Sequence, residues 1–534
     1  MEQIILYIGL FSIIVIIGQL FDKKAIPLSL LLIIAGMILS IIPNFPTVHL
    51  NSEVVLNIFL PVLIYQISTF ASWKDVQSNI RPIISLSFGH VIFITLLVAI
   101  TIHAIIPQLG WPLSFVIGAV ISPPDSVAIV TIADKIRMPM RIVTILEGEG
   151  MLNDATALIL FRFSLAAVIT HEFSAVHAFS AFLCVVIGET IYGYLLGNLL
   201  GQIRLRINNP ILHIMASILT PFLAYIPAEE MGGCGVIATV VTGFVIGHVY
   251  AVRFTPEFRL ISRSVWPTLA FAVQNILFLL VGLDMLPIVK QISSIPINFL
   301  MIYSASVITV VILGRFFWVF MSGYVYQRIF YPRRKRQHWQ ALFVVSWSGM
   351  RGGISLAAAL SVPPLMMTVD GANAESLLLF LIFSVIIATF LLQGLTLPWI
   401  IKLLGMQKYG QREKYNDHMM ELNARLSILK SVLRWLSTYR KHITDDSKLL
   451  DQVKLYRREY QMLKRNLIAR LGDHGNEEEH DEKTELINEV FLHTQIIEIE
   501  RAALLQLWRT EKINLTVRNK LLDQLDHRSK DLPA

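Results

Sequence analysis

Along the first 404 residues of this 534-residue chain, apolar positions run on in blocks of about twenty residues, separated by short polar joints. A helix needs about 20 predominantly apolar residues to cross a bilayer. By that measure the pattern predicts thirteen spans, roughly 3–21, 25–42, 53–70, 82–106, 112–133, 141–170, 175–201, 211–226, 232–251, 264–284, 296–323, 340–362 and 376–403. The blocks show no strand-like alternation. The expected fold class is therefore all-α and polytopic. From residue 405 the pattern changes. "HMMELNARLSILKSVLRWLSTYRK" and "SKLLDQVKLYRREYQMLKRNLIARL" place apolar residues at three- and four-residue steps, as amphipathic helices do. An acidic stretch, 472–485, precedes a last helical pattern over about 486–528. The chain thus divides into a membrane body, 1–404, and a helical tail, 405–534.

Charge follows the same division. Only 16% of the residues are charged and 54% are hydrophobic, with a mean hydropathy of +0.61, against roughly 25% and 45–50% in soluble domains. The joints between spans fall into two alternate sets. One carries 17 basic residues, from Lys23 and Lys24 through Arg204, Arg206 and Arg263 to the cluster Arg333, Arg334, Lys335 and Arg336; the other carries Lys290 alone. By the positive-inside rule the first set is cytoplasmic, which puts the N-terminus outside and the tail inside. The start, Met-Glu-Gln, lacks a basic region and a cleavage site, and reads as a retained first span. Cys184 and Cys234 lie in apolar runs without metal-ligand spacing and read as small buried hydrophobes. The tail, with acids and bases nearly balanced, gives no reason to expect nucleic-acid binding.

Ionisable groups inside spans are costly, about 2.5–3.5 kcal/mol on insertion scales, and mark function by default. "EGEGMLNDATALILF", 147–161, places Glu147, Glu149 and Asp154 within eight residues of the sixth span, with Asn153 beside the last. Asp154 lies thirteen residues in from Arg141, about 20 Å at 1.5 Å per residue. Asp125 lies equally deep in the antiparallel fifth span, so the two acids arrive at similar depth. Glu149 and Asn153, four apart, share a helical face; Glu147 and Asp154 share another, rotated by roughly 120°. A carboxylate at mid-depth holds either a proton or a small cation, and that competition is the minimum chemistry of an exchanger. Arg162, Arg315 and Arg351 also lie within spans, and Arg351 is the expected partner that Glu149 neutralises. His90, Glu189, Gln274 and Asp284 are further in-span polar residues; His90 alone reads as a packing residue.

Two spans should be broken. "ISPPDSVAIV" (121–130) contains Pro123-Pro124, which removes two backbone donors and clashes with the preceding turn. "SWSGMRGGISLAAAL" (346–360) loosens its helix at Gly349, Gly352 and Gly353 around Arg351. Spans five and twelve are seven apart and cross in opposite directions, as corresponding helices of an inverted repeat do (1–6 against 8–13). In many secondary transporters such broken helices mark the ion site.

"SPPDSVA", "EGEGMLNDATAL", "NILFLLVGL" (275–283) and "WSGMRGGISLAAALSVP" (347–363) resemble, in order and spacing, the cation–proton antiporter-1 family of Na+/H+ exchangers. The resemblance covers residues 1–404. It implies thirteen helices with two crossed broken ones, in a core (82–170 and 296–403 among it) that moves against a dimerisation domain. It also implies alternating access, a homodimer in the cell membrane, a role in pH homeostasis and no cofactor. By the same resemblance Asp154 is the ion- and proton-binding aspartate, Asn153 its neighbour in the Asn-Asp pair of electroneutral exchangers, and Asp125 the acid of the broken helix. Glu149 and Arg351 fall on the family's structural ion pair. Three positions depart from the pattern. Many members have Thr at Pro124, Ser at Gly150 and an acid near Gln66, and all three would add oxygen ligands. Na+ is the expected cation, with K+ and Li+ left open. Glu147, Arg162 and Arg315 are assigned only to access or tuning.

Other classes fit less well. "HEFSAVH" (171–177) spaces its histidines six apart, whereas two zinc ligands on one helical face need four. No nucleophile elbow or phosphate-binding glycine loop appears, so an enzyme is not expected. A cation channel and an organic-anion carrier are the alternatives.

Overall fold

A computed structural model gives the fold. It describes residues 2–21, 26–42, 52–125, 127–133, 135–170, 175–251, 253–292, 294–330, 339–362, 368–369, 372–441, 454–458, 460–465 and 468. Outside the described residues lie the acidic stretch 472–485, the expected helix 486–528, the basic cluster at 333–336 and the first four residues of "HEFSAVH".

Thirteen apolar segments are helical among the described residues. Eight are long and apolar enough to cross a bilayer as single helices: Ser52–Phe70, Ile80–Ile105, Met140–Thr170, Phe179–Leu205, Pro210–Glu230, Glu257–Gln291, Ile297–Val325 and Ala374–Leu403. Ile8–Phe21, Leu28–Ile41, Pro107–Ile121 and Val236–Tyr250 are shorter apolar helices. The remaining segment is the pair Trp339–Trp347 and Gly353–Leu360. Pro107–Ile121 likewise resumes after a break, as Val127–Ala133. Both breaks lie where Pro123-Pro124 and the glycines around Arg351 predict them. The sheet among the described residues is a two-residue pairing of Thr368–Val369 with Ala372–Asn373.

Helices dominate because a bilayer core offers no partner for a free backbone N–H or C=O, and a helix satisfies its own. The same solvent leaves large apolar side chains on the outside. Ile211, Met215, Leu219 and Leu223, four residues apart along Pro210–Glu230, are all exposed, and in Phe179–Leu205 only 11% of the most apolar window is buried. These are faces for lipid or for another apolar surface. Cys184 lies on such a face and is exposed, so of the two thiols expected to be buried only Cys234 is. The physical reason is that an apolar run in a membrane protein marks a span without saying which of its sides faces protein.

Between helices, small residues allow close approach where lipid provides no hydrophobic drive. Leu28–Ile41 meets Pro256–Gln291 at Gly36 and Gly282: a Cβ on Gly282 would collide with the Ile33 carbonyl oxygen, and one on Gly36 with that of Leu279. This crossing seats Pro256–Gln291, which carries Gln274 and the "NILFLLVGL" motif, firmly in the body.

The chain separates into two compact units, Met1–Glu413 and Lys414–Ala534. The helix Met406–Lys441 runs across that boundary. Within the first unit, the Glu413 carboxylate accepts a hydrogen bond at 2.7 Å from the backbone N–H of Met140. Met140 begins the helix Met140–Thr170, so an acid is set against the positive end of the helix that carries Asn153 and Asp154.

Gly282→Ala should cost about 1–3 kcal/mol by overpacking against backbone, read as a lowered thermal unfolding midpoint in detergent. Gly188→Ala, where a Cβ meets nothing within 4 Å, should leave the midpoint unchanged or raise it.

Candidate functional site

The two broken helices meet at their breaks. Pro124 and Arg351 pair as an isolated antiparallel bridge, and the Asp125 N–H donates to the Met350 carbonyl at 2.6 Å. The Arg351 N–H donates to Thr389 Oγ1 at 3.2 Å. Each break thus supplies partners for the backbone groups freed by the other. The approach depends on Gly352, where a Cβ would lie 2.8 Å from the Asp125 side chain. Asn153 joins the crossing from the sixth helix: its Nδ2 donates to the Pro124 carbonyl at 2.7 Å, and its Oδ1 is buried without a hydrogen bond. The side chain next to Asp154 therefore holds the broken helix in place.

Beside the crossing lies a small cavity, lined by Asp125 and Asp154 together with Pro124, Gly150, Gly352, Ser355 and Gln274, and by apolar residues that include Leu63, Ile64, Ile67 and Phe278. A smaller, more apolar cavity also touches Asp154 and runs along Ala157, Leu158 and Phe161. Asp154 borders both. Two acids face one cavity, with main-chain carbonyls and N–H groups of interrupted helices beside them. Such a place can hold a small cation or a proton against the carboxylates.

The buried ion pair differs from the expected one. Glu149, 1% exposed, is held by Arg315, whose Nη1 and Nη2 donate to its two oxygens at 2.6 and 2.8 Å. Arg315 also donates from Nε and Nη2 to the Val345 carbonyl, and from Nη2 to that of Ser348. Those carbonyls belong to the terminus of Trp339–Trp347 at the break, where a cation is favoured. The planar guanidinium fits both tasks at once, the carboxylate bidentately and the helix end with its remaining donors. Arg351 is 1% exposed, and its Nε, Nη1 and Nη2 have no hydrogen-bond partner. Its contribution to the crossing is through the backbone. The sequence offered three in-span arginines and pointed to Arg351, the one beside the glycine-rich break, as the partner of Glu149; Arg315 takes that place instead. The choice came from the uninterrupted helix Ile297–Phe330, which presents Arg315 to Glu149.

His90 is drawn into the same cluster, Nδ1 being 3.9 Å from Glu149 Oε1 at full burial. Arg162 lies elsewhere. It pairs with Glu229 at 2.6 Å and donates to the Gly233 carbonyl, tying the sixth helix to the turn after Pro210–Glu230. Pro124 and Gly150 line the cavity; Gln66 and Glu147 are half-buried and are not among its lining residues. Gln274 and Ser355, each 5% exposed, line it without having been assigned a part. The signal for Gln274 was present, a polar side chain inside a span, but its direction was not.

Residues 9–403 match the family of transmembrane sodium/hydrogen exchangers. An uncharacterized Na(+)/H(+) exchanger of Mycobacterium tuberculosis is 32% identical over 380 residues, covering 70% of this chain and 69% of that protein. The chain belongs to the sodium/hydrogen exchanger family. A "Sodium, potassium, lithium and rubidium/H(+) antiporter" of Bacillus pumilus is 27% identical over 460 residues, 83% of this chain and 66% of its own length. In fold, the chain is similar to the sodium proton antiporter MjNhaP1 of Methanocaldococcus jannaschii. The TM-score is 0.57 at 17% identity, over 76% of this chain and 100% of that one. This exchanger-family chain is an integral membrane protein, and the crossing and its cavity lie inside the matched region, with the tail beyond it.

In this exchanger, Glu149→Gln or Arg315→Met alone should cost about 3–5 kcal/mol, because each leaves a buried charge unpaired. The double variant should lose clearly less than the sum, whereas Glu149→Gln with Arg351→Met, which removes no hydrogen-bonded pair, should show a smaller coupling. Thermal unfolding of the purified variants decides between the partners.

Proposed function

We propose that this chain exchanges Na+ for H+ across the membrane by alternating access, one cation for one proton. Asp154 carries either species in turn, Asp125 shares the cation's charge, and Asn153 holds the broken helix that brings the two acids together. The observation that carries this reading is the cavity at the crossing of the broken helices, faced by two carboxylates, in a chain of the exchanger family. Its charged lining is wholly acidic, which suits a cation and argues against an organic anion. Glu149 and Arg315 act as the internal brace.

K+ and Li+ are included as substrates. Pro124 and Gly150 bring no side-chain oxygen to the cavity, so the coordination shell rests more on the carboxylates, main chain, water and the few neutral side chains that line it, Gln274 and Ser355. Such a shell discriminates weakly by size, and the Bacillus relatives named for four cations are in keeping with it. The protein works in the cell membrane as a homodimer, N-terminus outside and tail in the cytoplasm. The 17-to-1 distribution of basic residues supports that orientation.

Everted vesicles loaded with a pH-sensitive dye test the reading. Na+, Li+ and K+ should each cause dequenching with the wild type, none should with Asp154→Asn, and a clamped membrane potential should leave the rate unchanged. Absence of cation-driven proton movement between pH 6 and 9, in folded and inserted wild-type protein, would sink the exchanger. Rates that follow the potential would overturn the one-for-one stoichiometry alone.

A further inference from the structure

The cavity that holds Asp125 and Asp154 has one wall whose chemistry is unaccounted for. It comes from Pro256–Gln291, which lines the space beside the broken helices and the sixth helix. That wall is apolar at Leu277 and Phe278 and carries a single amide, Gln274. Gln274 is 5% exposed, and its Nε2 has no hydrogen-bond partner. Its neighbour Asn275 behaves differently: its Nδ2 donates to the Phe271 carbonyl at 2.7 Å, one turn back on the same helix. One amide is spent on its own helix, and the other, on a residue that lines the cavity, has its Nε2 unbonded.

A buried donor without a partner costs free energy that the fold must offset. At Gln274 what the cavity contains supplies the compensation. A carboxamide has a donor end and an acceptor end of similar size, and rotation about its last bond exchanges them. With no cation bound, the NH2 end is matched to the carboxylates of Asp125 and Asp154. With a cation bound, the carbonyl oxygen is matched to the ion. Pro124 and Gly150, which also line the cavity, bring no side-chain oxygen to it, so the amide oxygen of Gln274 adds to the few neutral oxygens there, the Ser355 hydroxyl and main-chain carbonyls.

We infer that Gln274 is a side-chain ligand of the transported cation, contributed from the helix Pro256–Gln291, and that it sets the preference among Li+, Na+ and K+. This rests on the exchanger reading. Smaller ions hold their water more tightly and need a fuller shell of protein oxygens before they release it. Removal of the amide oxygen therefore penalises Li+ and Na+ more than K+.

Two readouts on reconstituted full-length protein test the inference together: cation-dependent thermal unfolding in detergent at constant ionic strength, and cation-driven proton movement in liposomes. Gln274→Met keeps the length and removes the amide. It should raise the half-saturating Na+ and Li+ concentrations about tenfold, on the order of one lost hydrogen-bond-strength contact, and shift K+ by less. Gln274→Glu restores an oxygen and should bind Na+ at least as tightly as the wild type. If the Met variant fails to insert, Gln274→Asn, which keeps the amide but shortens its reach, should shift in the same direction. Unchanged concentration dependence for all three cations, in variants that still exchange, would overturn the assignment and leave the exchanger intact. Cation stabilisation that weakens at Gln274, in a wild type that moves no protons, would keep the ligand and discard exchange. A wild type that no cation stabilises and that moves no protons would discard both.

Discussion

Two helices interrupted inside an apolar solvent must find partners for the backbone groups they free, and the structure solves this by crossing them. The Pro124–Arg351 bridge, the Asp125-to-Met350 hydrogen bond and the Asn153-to-Pro124 hydrogen bond are one solution shared by both breaks. In lipid each unpaired group would cost several kcal/mol, so interrupted helices are tolerated only where protein or a cavity receives them. The crossing also brings Asp125 and Asp154 to one space. Scaffold and site are therefore the same feature.

Charge around the crossing is sorted by task. Glu149 and Arg315 are spent on each other and on the end of a half-helix, in a place that is almost fully buried. Buried ion pairs contribute little net stability, but breaking one is expensive, so this pair fixes geometry more than it adds strength. The two aspartates line the cavity, with space beside them. Acids of one sequence motif, five residues apart, thus do opposite work because one meets a guanidinium and the other a cavity.

The cavity is bounded by two sets of helices. The broken pair and Met140–Thr170 supply the acids, while Ser52–Phe70 and Pro256–Gln291 supply an apolar wall with one amide in it. Pro256–Gln291 is seated by close glycine contact with Leu28–Ile41.

The chain by itself determined the spans, the breaks and the acids. Thirteen segments follow from the length of apolar runs, because a bilayer imposes one scale on every helix that crosses it. The breaks follow from Pro123-Pro124 and from glycines around Arg351, whose effects are local. Asp125 and Asp154 stand out because an acid in an apolar span is costly wherever it points. Direction was left to tertiary structure. Which arginine meets Glu149, whether Cys184 faces protein or lipid, and that Gln274 lines the cavity while Asn275 does not, all depend on how helices rotate against one another. A sequence surrounded by lipid encodes that rotation weakly, since both faces of a span are apolar. Packing, small-residue contacts and the few buried polar partners set it, and these exist only once the helices have met.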